Sequence, residues 1–213
     1  MAITINGNGT ITGITAGGLP AVAVTPADGS ITTAKLANNA VTHAKSTGLQ
    51  RRISTTVTLP TNTDRYDHTV TAGVKKIELL LNNVSSSSNT NTQVRLGDAG
   101  NSMHTSGYNY ASGFHRTGTS SREATVTNFT DGFKSYGLDS ASYNLFGNYK
   151  LWNPGGNVWL AEHIIWGDDA ANHTFYGNGY QATDSALTTL IFRVIGGNFD
   201  EGSITIIETL GDD

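Results

Sequence analysis

Six histidines, a pair of adjacent aspartates and a series of aromatic rings beside amides are the side chains of this 213-residue chain whose types could do chemistry. Imidazole is a common metal ligand and the usual proton carrier near neutral pH. His43, His68, His104, His115, His163 and His173 are scattered, and none forms the His-x-His or His-x3-His spacing that brings two imidazoles of one element to one ion. Asp168, Asp169 and His173 form the best local cluster, with hard oxygens and one imidazole that suit a divalent cation. A polar turn in which Asp bonds its own backbone is the commoner use of that pattern, so no metal and no other cofactor is expected.

Glu162 and His163 stand inside an apolar run, where strand alternation sends them to opposite faces and leaves one pointing inward. Glu162 with Asp168 or Asp169 could frame a glycosidase pair, but no motif supports it. The chain has no Gly-x-Ser-x-Gly elbow, no P-loop and no dinucleotide fingerprint, and an enzyme is not expected. More telling are aromatic and amide residues in predicted loops, which give the candidate binding residues Tyr108, Tyr110, His115, Arg116, Trp152, Tyr176 and Tyr180. Flat rings stack on the apolar faces of sugars while Asn, Arg and His bond hydroxyls, a mixture suited to saccharide recognition. The alternative is that these rings cover the ends of a β-sandwich or its subunit contacts, and Trp159 and Trp166, within a predicted strand, are assigned to that alternative.

The elements that must position these side chains read as strands. Ile53–Leu59 stops at Pro60, and Val74–Val84 puts Ile77, Leu79 and Leu81 on one face. A polar stretch from Ser85 to Thr92 predicts an exposed loop before Gln93–Leu96. Two hairpins are predicted: Leu145–Trp152 with Val158–Trp166 about Asn153–Asn157, and Leu190–Ile195 with Ser203–Glu208 about Gly196–Gly202. Roughly ten strands with no long helical period predict an all-β chain whose residues 51–213 fold as an antiparallel jelly-roll-like sandwich, with a barrel as the alternative. Charged residues are 14% of the chain and the net charge is −4, which leaves no footprint for nucleic acid or an anionic membrane. No apolar run suits a membrane span or a leader, which fits a protein assembled in a bacterial cytoplasm and an ordinary cytosolic protein equally well. With no cysteine, stability must come from packing and assembly.

The first 50 residues have a different texture. Asp28-Gly-Ser-Ile-Thr-Thr-Ala-Lys35 is echoed ten residues later by Asn38-Asn-Ala-Val-Thr-His-Ala-Lys45. Each copy offers an apolar stripe too thin to bury alone, so Ile31, Leu36 and Val41 are expected to pack against other subunits in a shaft or attachment segment. With Ile3–Ile14 and Ala16-Gly-Gly-Leu-Pro20, this wording resembles the N-terminal region of bacteriophage tail-fibre proteins. The resemblance is looser beyond residue 45, over Val74–Val84, Gln93–Gly97 and Thr105–Tyr108. It implies a homotrimeric virion protein, attached to other tail or baseplate proteins through residues 1–50. Its head, residues 51–213, would bind a glycan or protein of the bacterial surface during host attachment. A capsid decoration or head-fibre part without receptor binding is the main alternative, and a polysaccharide depolymerase the lesser one.

Overall fold

The structure, a computed structural model, describes residues 4–5, 11–12, 51–89, 91–99, 103–116, 127–135, 141, 143–168 and 173–211. The chain divides into two compact units, Met1–Thr47 and Gly48–Asp213. In the first, β1 (Thr4–Ile5) pairs antiparallel with β2 (Ile11–Thr12). The expected shaft residues Ile31, Leu36 and Val41 lie outside the described residues.

The second unit is all-β, with no helix among its described residues. Its strands are β3 (Arg51–Thr58), β4 (Arg65–Thr69), β5 (Val74–Ser86), β6 (Asn91–Asp98), β7 (Asn109–Arg116), β8 (Thr127–Phe129), β9 (Phe133–Lys134), β10 (Asn144–Gly155), β11 (Val158–Asp168), β12 (His173–Ala182), β13 (Leu187–Ile195) and β14 (Phe199–Leu210). One antiparallel sheet has the order β3-β14-β5-β10-β11-β12-β7-β8, the other β4-β13-β6-β9. Setting aside β7, β8, β11 and β12 and numbering the other eight along the chain, the orders become 1-8-3-6 and 2-7-4-5. That is the strand order of a jelly roll. The four remaining strands widen the larger sheet beyond β10.

Alternation builds the core. Along β5, Ile77, Leu79, Leu81 and Val84 turn inward and are buried, beside Tyr149 and Leu151 of β10 and Ile204 and Ile206 of β14 on the same inner face, in one core with Val94, Leu96, Leu190 and Phe192 of the smaller sheet. The layers are also joined by polar atoms: Tyr149 Oη lies 2.8 Å from Thr92 Oγ1, which donates to Ser135 Oγ at 2.9 Å.

The hairpin of β10 and β11 forms as expected, with Trp152 opposite Leu160. Asn153 closes its turn, accepting from Gly155 N at 2.8 Å and donating to Gly156 O at 2.9 Å, while Gly156 takes a φ of 61° that side chains disfavour. The second expected hairpin does not form. β13 pairs with β4 and β6, whereas β14 pairs with β3 and β5 in the other sheet. The glycines after Ile195 therefore turn a corner between layers, with Phe199 buried on arrival. The polar stretch after Val84 is also shorter as a loop than expected. Ser85 and Ser86 are buried and paired with Glu201 and Phe199, and Thr92 is buried at the start of β6. Their hydroxyls are satisfied inside, Ser85 by Asp200 and Thr92 by Ser135.

Candidate functional site

Strands β10, β12 and β7 hold most of the expected binding residues, and pleating divides those residues between two faces. On β12, His173 and Phe175 point inward, and Gly177 and Gly179 continue that inner row with no side chain. The missing atoms are necessary. A Cβ at Gly179 would lie 2.1 Å from Asn109 O, and one at Gly177 would lie 2.7 Å from His163 Cε1. The Tyr110 ring lies against both glycines and its hydroxyl is hydrogen-bonded to His163 Nδ1. Burial holds the His163 imidazole down to a pKa of about 3 and pushes the Tyr110 and Tyr149 phenols well above their ordinary value. These groups are a neutral, buried network at pH 7.

Two expected binding residues thus belong to the core. Tyr110 is 1% exposed, and Tyr108, at 2%, points inward, its Oη accepting a hydrogen bond from Leu96 N at 2.8 Å. Phe133 packs edge-on against both rings. Tyr110 is buried because residues 109–116 form a strand, not a loop, with Tyr110, Ser112 and Phe114 on its inner face. Tyr108, just before that strand, is tied down by the bond from its N to Thr130 O at 3.1 Å and by the Phe133 ring.

The outer face gathers the others. Register sets Phe146 beside Trp166, Ile164 beside Tyr176, and Trp152 beside Leu160, which in turn is beside Tyr180. Thr174 pairs with His115 of β7, whose side chain is exposed. Trp152 is half-buried, and Ile164 is 61%, Trp166 40%, Tyr176 42% and Tyr180 46% exposed. The Arg116 side chain lies outside the described residues. Trp152, Tyr176, Tyr180 and His115, predicted as loop residues, are therefore brought to one face of one sheet by strand pairing.

No family model matches this chain. No curated protein matches it either, and no solved structure does.

Trp166 and Ile164 were not among the expected binding residues, yet they are central to this face. The signal lay in the spacing: Trp159, Ala161, His163 and Ile165 are buried, so positions of the other parity, including Ile164 and Trp166, must face out. Trp159 is in the core, while Trp166 is 40% exposed and lies beside Phe146, with ring centroids 5.8 Å apart. The outer face of the smaller sheet is unlike it. There Arg65 pairs with Asp67 and Arg193 with Asp64, each at 2.9 Å, beside an open groove of about 300 Å³ lined by Arg65, Asp67, Met103 and Ile191.

The expected cation cluster is taken apart. Asp168 ends β11 on its exposed face, while His173 is buried between the rings of Phe114 and Phe175, at 5.6 and 5.9 Å; Asp169 lies outside the described residues. A different trio, Asp98, His104 and Asp184, has ligand atoms within 4.8 Å of one another. Its geometry is that of a loop clamp: Asp98 Oδ2 accepts from His104 Nε2 at 3.0 Å, Asp184 N at 3.0 Å and Ser185 N at 3.3 Å. Burial pushes the Asp98 carboxyl up, but the bonds from His104 and the two amides together bring it below its ordinary value. Glu162 lies on the outer face 3.8 Å from Lys150, and His163 on the inner one, as alternation requires.

Proposed function

We propose that this chain is a virion fibre protein of tail-fibre type, a homotrimer whose residues 1–50 attach it to the particle and whose residues 51–213 bind a bacterial surface glycan. The exposed face carrying Trp152, Ile164, Trp166, Tyr176 and Tyr180 supports the binding role most directly. Large rings left exposed together on a sheet, when the opposite outer face is laced with ion pairs, mark a surface with a partner. Sugar recognition suits rings interspersed with Asn148, Asn178 and Glu162. Three weak sites on one rigid trimer would reinforce one another through effective concentration, so host attachment needs no chemical step.

Ile164 favours a second reading: an aliphatic side chain 61% exposed in the middle of this face suits a contact with another virion protein in a capsid decoration or head fibre. Two measurements decide between them. Gold-labelled antibody against residues 51–213 is expected at the tail or its fibres, and the purified full-length protein is expected to bind host cells and compete with the particle. Label spread over the capsid, with no cell binding, would replace the adhesin by the decoration reading.

A further inference from the structure

We infer that Tyr176, Asn178 and Tyr180 of β12 form a stacking platform for an uncharged saccharide chain lying along the strand. This rests on the adhesin reading above and gives it a ligand class and a set of contacts. The three residues sit at alternate positions and all are exposed. At the rise of an extended strand, the two tyrosines are separated by about 13 Å of backbone, with the Asn178 amide about midway. Two sugar rings of one chain can then stack on the tyrosines while the amide, with both donors and acceptors, meets the hydroxyls between them.

Both tyrosines are held from the neighbouring strand. Tyr176 lies over Gly113 of β7, close enough that a Cβ there would be 3.4 Å from its Cζ and Oη. Tyr180 Oη accepts a hydrogen bond from Asn109 Nδ2 at 3.4 Å. A ring already laid against the sheet loses little freedom when a ligand stacks on it, which favours weak, repeated contacts. Gly113 is thus a positioning residue: its missing side chain lets Tyr176 lie down.

Charge selects the occupant. Register places Lys150 opposite both Glu78 and Glu162, and Lys76 opposite Trp152, so the middle of the face carries balanced charges. Glu162 in turn pairs with Asn178. A row of charges through the centre is unlike the interior of a protein–protein contact, where charged residues are depleted. Their balance gives no net attraction to an anionic or cationic polymer. An uncharged glycan fits both observations, whereas the first disfavours a contact with a second copy of this chain.

The test uses the full-length protein on an array of purified bacterial surface polysaccharides, uncharged and anionic, with host-cell binding measured in parallel. Near-ultraviolet circular dichroism confirms that each variant is folded. The wild type is expected on uncharged members. Tyr176→Ala and Tyr180→Ala should each weaken capture about tenfold, the loss of one stacking contact worth roughly 1.4 kcal/mol. Gly113→Val should weaken it similarly, and the pair Gly113→Val with Tyr176→Ala should be no weaker than Tyr176→Ala alone, because valine acts only through that ring. Capture on anionic members only, capture on none, or unchanged capture by Tyr176→Ala would overturn the platform. So would a sedimentation change showing that Tyr176→Ala breaks a contact between copies. Wild type and Tyr176→Ala binding cells equally would overturn the platform and leave the adhesin standing; array capture without cell binding would do the reverse.

Discussion

Acid should loosen the β-sandwich through His163. Burial holds this imidazole at a pKa of about 3, against an ordinary 6.5. The folded state therefore resists a proton that the unfolded chain accepts, so the contribution is fully present above 6.5 and is lost as pH falls toward 3. What surrounds the ring explains the resistance: Tyr110 from β7, Tyr149 from β10 and the gap at Gly177 of β12, with Glu162 turned to the other face. At about 1.4 kcal/mol per unit, lowering the pH from about 7 to about 4.5 removes about 2.7 kcal/mol, a substantial part of an ordinary domain's stability. Asp98 is held below its ordinary 3.8, so its own contribution is lost only at still lower pH. Urea unfolding of the full-length protein at the two pH values, at one concentration, should show this loss for the wild type and a smaller one for His163→Gln. Equal losses in the two proteins, or a His163 ring resonance that titrates near 6.5, would refute the reasoning.

Three other substitutions probe the same architecture. Gly179→Val forces a branched side chain against Asn109 O and the Tyr110 backbone, and should destabilise the head by about 3 kcal/mol or more, read by thermal unfolding. Tyr149→Phe leaves Thr92 without its phenol partner inside the core and should cost about 1–2 kcal/mol in urea, with the fold retained by circular dichroism. Arg65→Ala breaks an exposed pair with Asp67 and should change the urea midpoint little, by no more than about 0.5 kcal/mol.

The parts legible in the sequence were those with local causes. The β10–β11 hairpin follows from alternating runs on either side of Asn153-Pro154-Gly155-Gly156, whose chemistry closes the turn by itself. The inward row of β5 follows from Ile77, Leu79 and Leu81. Residues 196–198 carry an equally good turn signature, yet they link two layers, because a turn residue specifies a change of direction and not the sheet that the next strand joins. The candidate site was half legible for a similar reason. The residue types on Tyr176 and Tyr180 pointed to stacking, but Gly177 and Gly179 read locally as turn formers. Their actual cause is the close approach of β7, a strand far away in the chain, through the Asn109 and Ala111 carbonyls and Tyr110, together with the His163 ring of β11 at Gly177.

That cause also fixes what the face presents. A one-residue slip of β12 against its neighbours would exchange the two rows, driving Tyr176, Asn178 and Tyr180 into the space that Tyr110 fills and bringing the glycines to the surface. Close contact at Gly179 leaves no room for the slip from the β7 side, and on the β11 side Phe175 is buried where an outward residue would have to replace it. The outer rings are therefore held in register by the inner glycines. Sugar-binding variants of this face should be obtained by changing positions 176, 178 and 180 while leaving 177 and 179 as glycine; a folded protein with large side chains at both 177 and 179 would show that the register has another origin.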